Sequence, residues 1–271
     1  APSAGSQNVL ARFGDAGKVA AECDVTVAVL GINKSIEREG QDRFSLELPV
    51  DQQEFIKELY KVNPNTVVVL VAGSSMAVNW MDENVPAILN AWYPGEQGGN
   101  AVAEVLFGDY NPGGRLPLTY YNSLDEIPAF DNYSVKGRTY QYFEGQPLYE
   151  FGYGLSYTKF RYKSKGVNVE QDTVKVSFEV SNTGKYDGDE VAQVYVKYPE
   201  TGTYMPLKQL HGFKRVHIKK GKTSKVTIGV PKKDLRYWDE QERKFVTPKG
   251  EYTFMVGASS EDIKFRETVG L

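Results

Sequence analysis

Near residue 172 the spacing of apolar residues changes from continuous runs to strict alternation, and no other feature constrains the fold as much. Before it, DVTVAVLGI at 24–32 and TVVVLVA at 66–72 are nearly unbroken runs rich in β-branched residues, as expected of strands buried on both faces. After it, Val174, Val176, Phe178 and Val180 alternate with polar residues, as do Ala192, Val194 and Val196, then Val226, Ile228 and Val230, then Tyr252, Phe254 and Val256. These read as half-buried antiparallel strands. A chain of 271 residues has room for both kinds of core, one per domain.

In the first part, the stretch after Pro49 spaces Phe55, Leu59 and Val62 at helical intervals, with Pro49 and Asp51 as start signals. Ala87 to Trp92 reads as a third short strand. Gly98 to Phe107 reads as a helix with Ala101, Val102, Val105 and Leu106 on its apolar stripe. Alternating strands and helices imply an α/β layer with a mostly parallel sheet. In such sheets ligands meet the loops at the carboxyl ends of the strands, so the loops after Ile32, Ala72 and Trp92 belong on one rim. No strand–helix pair is evident before Asp24, so this α/β domain, taken as 1–135, is expected to be incomplete at its start.

In the second part, Asn182-Thr-Gly-Lys, Lys219-Lys-Gly-Lys and Pro248-Lys-Gly-Glu punctuate the strands as turns. They point to an all-β sandwich of immunoglobulin-like or fibronectin-III-like type over 161–271. The sequence from Tyr120 to Phe160 is aromatic and glycine-rich; its portion at 136–160 reads as an interdomain strap packed on both domains, which would join them rigidly.

Composition excludes several classes. The lone Cys23 allows no intrachain disulfide, and with only His211 and His217 beside it no zinc cluster is expected. No metal or other cofactor is implied. No apolar run approaches the roughly 20 residues of a membrane span, and the opening APSAGSQN lacks the signature of a signal peptide. Residues 1–160 carry 11 basic against 20 acidic side chains and 161–271 carry 21 against 15, but the later Lys and Arg are scattered over strand patterns. Nucleic acid is therefore not an expected partner.

The loop after the first buried strand reads Asn33-Lys-Ser-Ile-Glu-Arg-Glu-Gly-Gln-Asp-Arg-Phe. It crowds Glu37, Glu39 and Asp42 with Lys34, Arg38 and Arg43 at a strand's carboxyl end, where a carboxylate can be held toward a ligand. Mixed charges after a strand are also the commonest form of solvated loop. Asp42 and Arg43 suit an ion pair that fixes the loop, or a contact to a sugar hydroxyl. Trp92 and Tyr93 could stack on a sugar or pack at an interface, and Trp80 likewise. GEQGG at 95–99 lacks the residues of a phosphate loop and reads as close helix–strand packing. GDYNPGGRLP reads as a tight turn feeding a strand.

EREGQDR, NPNTVVVLVAGSSMAVNW, AILNAWYPGEQGGNAVAEVLFGDYNPGGRLPLTYY and PLYEFGYGLSYTKF follow one another in an order that resembles the second and third domains of family-3 β-glucosidases and β-xylosidases. The resemblance covers nearly the whole chain and implies an exo-acting, retaining glycoside hydrolase that degrades β-linked oligosaccharides or glycosides. In that family an aspartate on a preceding barrel domain is the nucleophile, and a glutamate before a Gly-x-Asp-Arg pattern is the acid/base. That places the acid/base at Glu39, with Glu37 as the fallback; Asp42, Arg43, Trp92 and Tyr93 are candidate substrate contacts beside their structural readings. The barrel is absent, so this piece alone should be inactive. An exposed edge of its sheet would favour the missing barrel-bearing portion or a homodimer as partner. A periplasmic or extracellular location is expected. The rival reading is a non-catalytic carbohydrate-binding or scaffolding module.

Overall fold

The computed structural model describes residues 4–271, with side chains from Phe13 onward. Two compact units emerge: Ala1–Phe107 with Tyr120–Ile127, and Gly108–Thr119 with Pro128–Leu271.

The first unit opens with helix α1 (Ala4–Ala21), where no element was expected, followed by strand β1 (Thr26–Gly31), α2 (Val50–Val62), β2 (Thr66–Val71), α3 (Asn79–Asn84), β3 (Ala87–Asn90) and α4 (Gly98–Phe107). The strands form a parallel sheet in the order β1-β2-β3, with Thr26 opposite Thr66 and Val67 opposite Ala87. Ala28, Leu30, Val68, Val69 and Leu70 are buried. Each of the larger of them stabilises the unit by roughly 1.5–3 kcal/mol relative to exposure. As the order requires, β1 lies at an edge, and its Val27 and Val29 are exposed.

The stripe of α2 is centred on buried Ile56 and Leu59 rather than on the Phe55–Leu59–Val62 set, and Val62 faces solvent. Phe55 instead stacks on Phe13 of α1, ring centroids 5.0 Å apart. Asn63 ties these helices together: its Nδ2 donates to the carbonyls of Ala20, in the last turn of α1, and of Cys23, just after it. Such bonds satisfy carbonyls that a helix terminus leaves unpaired. On α4, Val102, Val105 and Leu106 are half-buried, while Ala101 is exposed.

The second unit is a β-sandwich made of β4 (Phe160–Val169), β5 (Thr173–Asn182), β6 (Gly188–Lys197), β7 (Gln209–Ile218), β8 (Thr223–Pro231), a small hairpin of β9 (Tyr237–Asp239) and β10 (Lys244–Val246), β11 (Glu251–Gly257) and β12 (Ile263–Gly270). One sheet runs β4-β5-β8 and the other β12-β11-β6-β7. All neighbours in both are antiparallel. The alternating residues read from the sequence form its core: Val174, Val176, Phe178 and Val180 meet Val194, Val196, Val226, Val230, Phe254 and Val256. At the turn after β5, buried Asn182 accepts from Thr158 Oγ1 and Gly184 N, and donates to the carbonyls of Tyr186 and Ile218.

The strap is bonded to this sandwich. Gln193 Nε2 donates to the carbonyls of Gly152 and Ala258, and Ser259 Oγ donates to Glu150. No strand follows the NPGG turn; Leu116 instead exchanges backbone bonds with Gly152 and Tyr153, while the Asn111 carboxamide bonds the Asp187 carbonyl and the Tyr157 amide.

His211 of β7 lies with Nε2 2.9 Å from the Tyr198 hydroxyl. Burial lowers its imidazole pKa, and the charge of Asp234 opposes this only in part. A folded pKa below the unfolded one gives stability that is complete above the unfolded value of about 6.5 and declines as pH falls through it toward the folded value. Melting temperatures measured from about pH 7.5 down to about pH 5 should therefore fall more steeply for the unsubstituted chain than for His211→Phe. Parallel slopes would remove His211 from the account.

Candidate active site

Because β1, β2 and β3 are parallel, their carboxyl ends share a side, and the three loops that follow meet there. The first loop is built locally. Asn33 Oδ1 accepts from the amide and hydroxyl of Ser35, while its carbonyl accepts from the amides of Ile36 and Glu37, giving one helical turn that ends at Glu37. A tight turn follows, in which Gln41 N donates to the Arg38 carbonyl at 3.0 Å and the two residues pair as an antiparallel bridge. Gly40 has φ +73°, the third-position conformation that a type II turn requires and that glycine adopts without strain. Glu39 therefore stands at the apex of the turn, one residue before the glycine.

The two candidate glutamates differ sharply. Glu37, with a side chain 15% exposed, accepts bonds from Gly73 N at 2.7 Å, the Tyr93 hydroxyl at 2.6 Å and the Ser74 hydroxyl. Arg43 Nε lies 3.6 Å from the same carboxylate. Burial alone would raise the Glu37 pKa, but the bonds from Ser74, Tyr93 and Gly73, with the charge of Arg43, together hold it below the usual carboxylate value. Glu39 is exposed, as are Gly40, Gln41 and Asp42, and among the described residues neither Glu39 nor Asp42 makes a side-chain hydrogen bond or ion pair.

Arg43 does not pair with Asp42, its expected partner. Its guanidinium turns inward, donating to Ser74 Oγ at 2.8 Å, the Ser75 carbonyl at 2.7 Å and Met76 Sδ at 2.9 Å, beside the Glu37 pair. Five donors in a rigid fork suit such a task, and they are spent on this inward set while Asp42 stays exposed. A second tie between these loops runs through the Ala77 amide, which donates to the Leu46 carbonyl.

Trp92 and Tyr93 lie beyond the end of β3, which stops at Asn90. Trp92 has φ +54°, an uncommon conformation for a bulky residue. After this kink the Tyr93 ring is half-exposed and its hydroxyl reaches Glu37. The close approach needs Gly73: a Cβ there would sit 2.5 Å from the Tyr93 ring and 2.9 Å from the Glu37 carboxylate. Trp80 packs edge-on against Tyr60, centroids 5.6 Å apart. In GEQGG, buried Gly98 packs against the Pro94 ring rather than a strand. Gly73 and Ser74 were not singled out from the sequence; their only signal was the GSS directly after a buried strand, on a rim loop.

The arrangement thus holds one carboxylate fixed and ionised within the rim and presents a second, without partners, on a turn above it. Among the described residues no group of three or more His, Cys, Asp or Glu could hold a metal ion.

Residues 4–157 match the model of the glycosyl hydrolase family 3 C-terminal domain, and 190–260 match that of a fibronectin type III-like domain. A xylan 1,4-beta-xylosidase of Xylanibacter ruminicola is 43% identical over 225 residues, covering 82% of this chain and 26% of that protein. A beta-glucosidase of Kluyveromyces marxianus is 38% identical over 264 residues, covering 92% and 31%. The crystal structure of the Kluyveromyces marxianus beta-glucosidase in complex with glucose superposes with a TM-score of 0.88 at 35% identity, over 96% of this chain and 33% of that one. This chain therefore spans only about a quarter to a third of the length of these relatives.

Proposed function

The chain belongs to glycosyl hydrolase family 3, and on that premise we propose that it is the acid/base-bearing C-terminal portion of a longer, retaining exo-β-glycosidase, with Glu39 as the acid/base. A single observation carries the reading: of the two glutamates that flank Arg38, Glu37 is tied down by four partners while Glu39 is exposed and uncommitted, at the apex of a turn over the carboxyl ends of a parallel sheet. Its carboxyl group protonates the leaving oxygen in the first step and, as carboxylate, activates water in the second. The nucleophile is an aspartate outside this chain, roughly 5 Å from the acid/base when the two halves meet. Relatives that include both beta-xylosidases and beta-glucosidases support a terminal β-linked xylose or glucose as the sugar cleaved. A periplasmic or extracellular location is supported by a periplasmic beta-glucosidase of Salmonella typhimurium that is 34% identical, and no helix among the described residues is long and apolar enough to cross a membrane.

The full-length gene product, assayed on 4-nitrophenyl β-glucoside and β-xyloside, should hydrolyse at least one, releasing the β-anomer first as followed by proton NMR. The chain from Ala1 to Leu271 alone should give no turnover. First release of the α-anomer, or turnover by this chain alone, would contradict the mechanism. Glycan binding without hydrolysis by the full-length protein would favour the scaffolding alternative.

A further inference from the structure

We propose that Glu37 is a positioning residue: its carboxylate gathers Gly73, Ser74, Tyr93 and Arg43 at the base of the Glu39 turn and thereby sets where the acid/base carboxyl is delivered. The inference rests on the reading of Glu39 given above.

The loop's own construction carries it. Residues 38–42 are all exposed, and the turn holds itself only through the Arg38–Gln41 backbone pair. Its fixed points are its two ends. Glu37 closes the amino-terminal end onto Gly73, Ser74 and Tyr93, and Arg43 closes the other onto Ser74, Ser75 and Met76. The Glu37–Arg43 ion pair joins the two ends, and Ser74 Oγ links them again by donating to one and accepting from the other. One carboxylate thus ties together the loops after β1, β2 and β3. Glu37 is unsuited to donate a proton itself: Oε1 accepts two hydrogen bonds, and Oε2 accepts one beside a guanidinium, a set of donors that an ionised carboxylate satisfies. Catalytic groups displaced by about 1 Å can lose on the order of 100-fold in rate, so a tie two residues from the acid matters to kcat.

A double-mutant cycle in the full-length gene product tests this, using Glu37→Gln, Glu39→Gln and the pair. A methyl glycoside needs protonation of its leaving group, and a 2,4-dinitrophenyl glycoside does not. Glu37→Gln should lower kcat/KM on the methyl glycoside by about 10- to 100-fold, with a much smaller loss of kcat/KM on the dinitrophenyl substrate, whose first step needs no proton. In the Glu39→Gln background the same change should add less than about twofold, because a positioning residue has nothing left to position. Tyr93→Phe, which keeps the ring and removes one bond to Glu37, should show the same pattern with a smaller loss, and it preserves the test if Glu37→Gln does not fold. Additive losses, or equal losses on both substrates, would overturn the positioning role while leaving Glu39 in place. An unaffected methyl glycoside rate in Glu39→Gln alone would overturn both.

Discussion

Glu39→Gln in the full-length gene product is expected to lower kcat/KM on an alkyl β-glycoside by about 10²- to 10⁴-fold, the usual contribution of a general acid or base. That corresponds to roughly 3–5 kcal/mol of transition-state stabilisation. The amide keeps the size of the side chain but has no acidic proton to give the leaving oxygen and cannot take one from water. Stability should barely change. The side chain is exposed and holds no partner among the described residues, so the melting free energy should stay within about 0.5 kcal/mol. A large rate effect with unchanged melting separates this residue from Glu37, whose removal also unties three loops.

The largest stability effect is expected in the second unit. Arg115 and Glu190 form an ion pair with side chains only 8% and 4% exposed, the guanidinium Nη2 lying 3.3–3.4 Å from both carboxylate oxygens. The Tyr162 hydroxyl donates to the same carboxylate at 3.0 Å, and Arg115 Nε has no hydrogen-bond partner. Whether such a pair stabilises relative to an apolar replacement is a separate matter, since desolvation offsets much of the attraction. Removing one member is different, because the other charge stays buried. Glu190→Ala should cost about 3–5 kcal/mol, and thermal unfolding should drop by roughly 6 to 20 °C for a unit of this size. Glu190→Gln keeps acceptors for Arg115 and Tyr162 and should cost clearly less. Equal and small losses in both variants would mean that water reaches the pair.

Much of this architecture was legible because strand burial writes itself into spacing. The run at 66–71 comes from the central strand of its sheet, and the alternation in β5, β6, β8 and β11 from an apolar face turned to the core; the run at 26–31 was expected to be buried on both faces, but β1 is an edge strand that leaves Val27 and Val29 exposed. The strands that escaped notice were β4, β7 and β12, which lie at sheet edges, and β9 and β10, which have three residues each. Edge strands bury less, so polar residues intrude and the pattern fades; β7 exposes Phe213, Lys214, Arg215 and His217. Helix α1 was obscured by Gly14 and Gly17, each worth about 1 kcal/mol against a helix interior, a cost overridden where α1 packs on α2.

At the site, the rim loop could be read from the rule for parallel sheets, but the turn around Gly40 was not singled out. The partner of Arg43 could not be read, because Glu37, Ser74 and Ser75 meet it only through loop geometry that no local pattern records. The same holds for Tyr93. Its pairing with Glu37 depends on the left-handed backbone at Trp92 and on the open space over Gly73.

Azide rescue tests the central claim most directly. With Glu39→Ala in the full-length gene product and an activated aryl β-glycoside, the first step should proceed and the glycosyl-enzyme should accumulate for want of a base. Added azide should then raise turnover and yield the β-glycosyl azide. If azide neither accelerates turnover nor appears in a β-configured product, or if it does so for Glu37→Ala instead, Glu39 is not the acid/base.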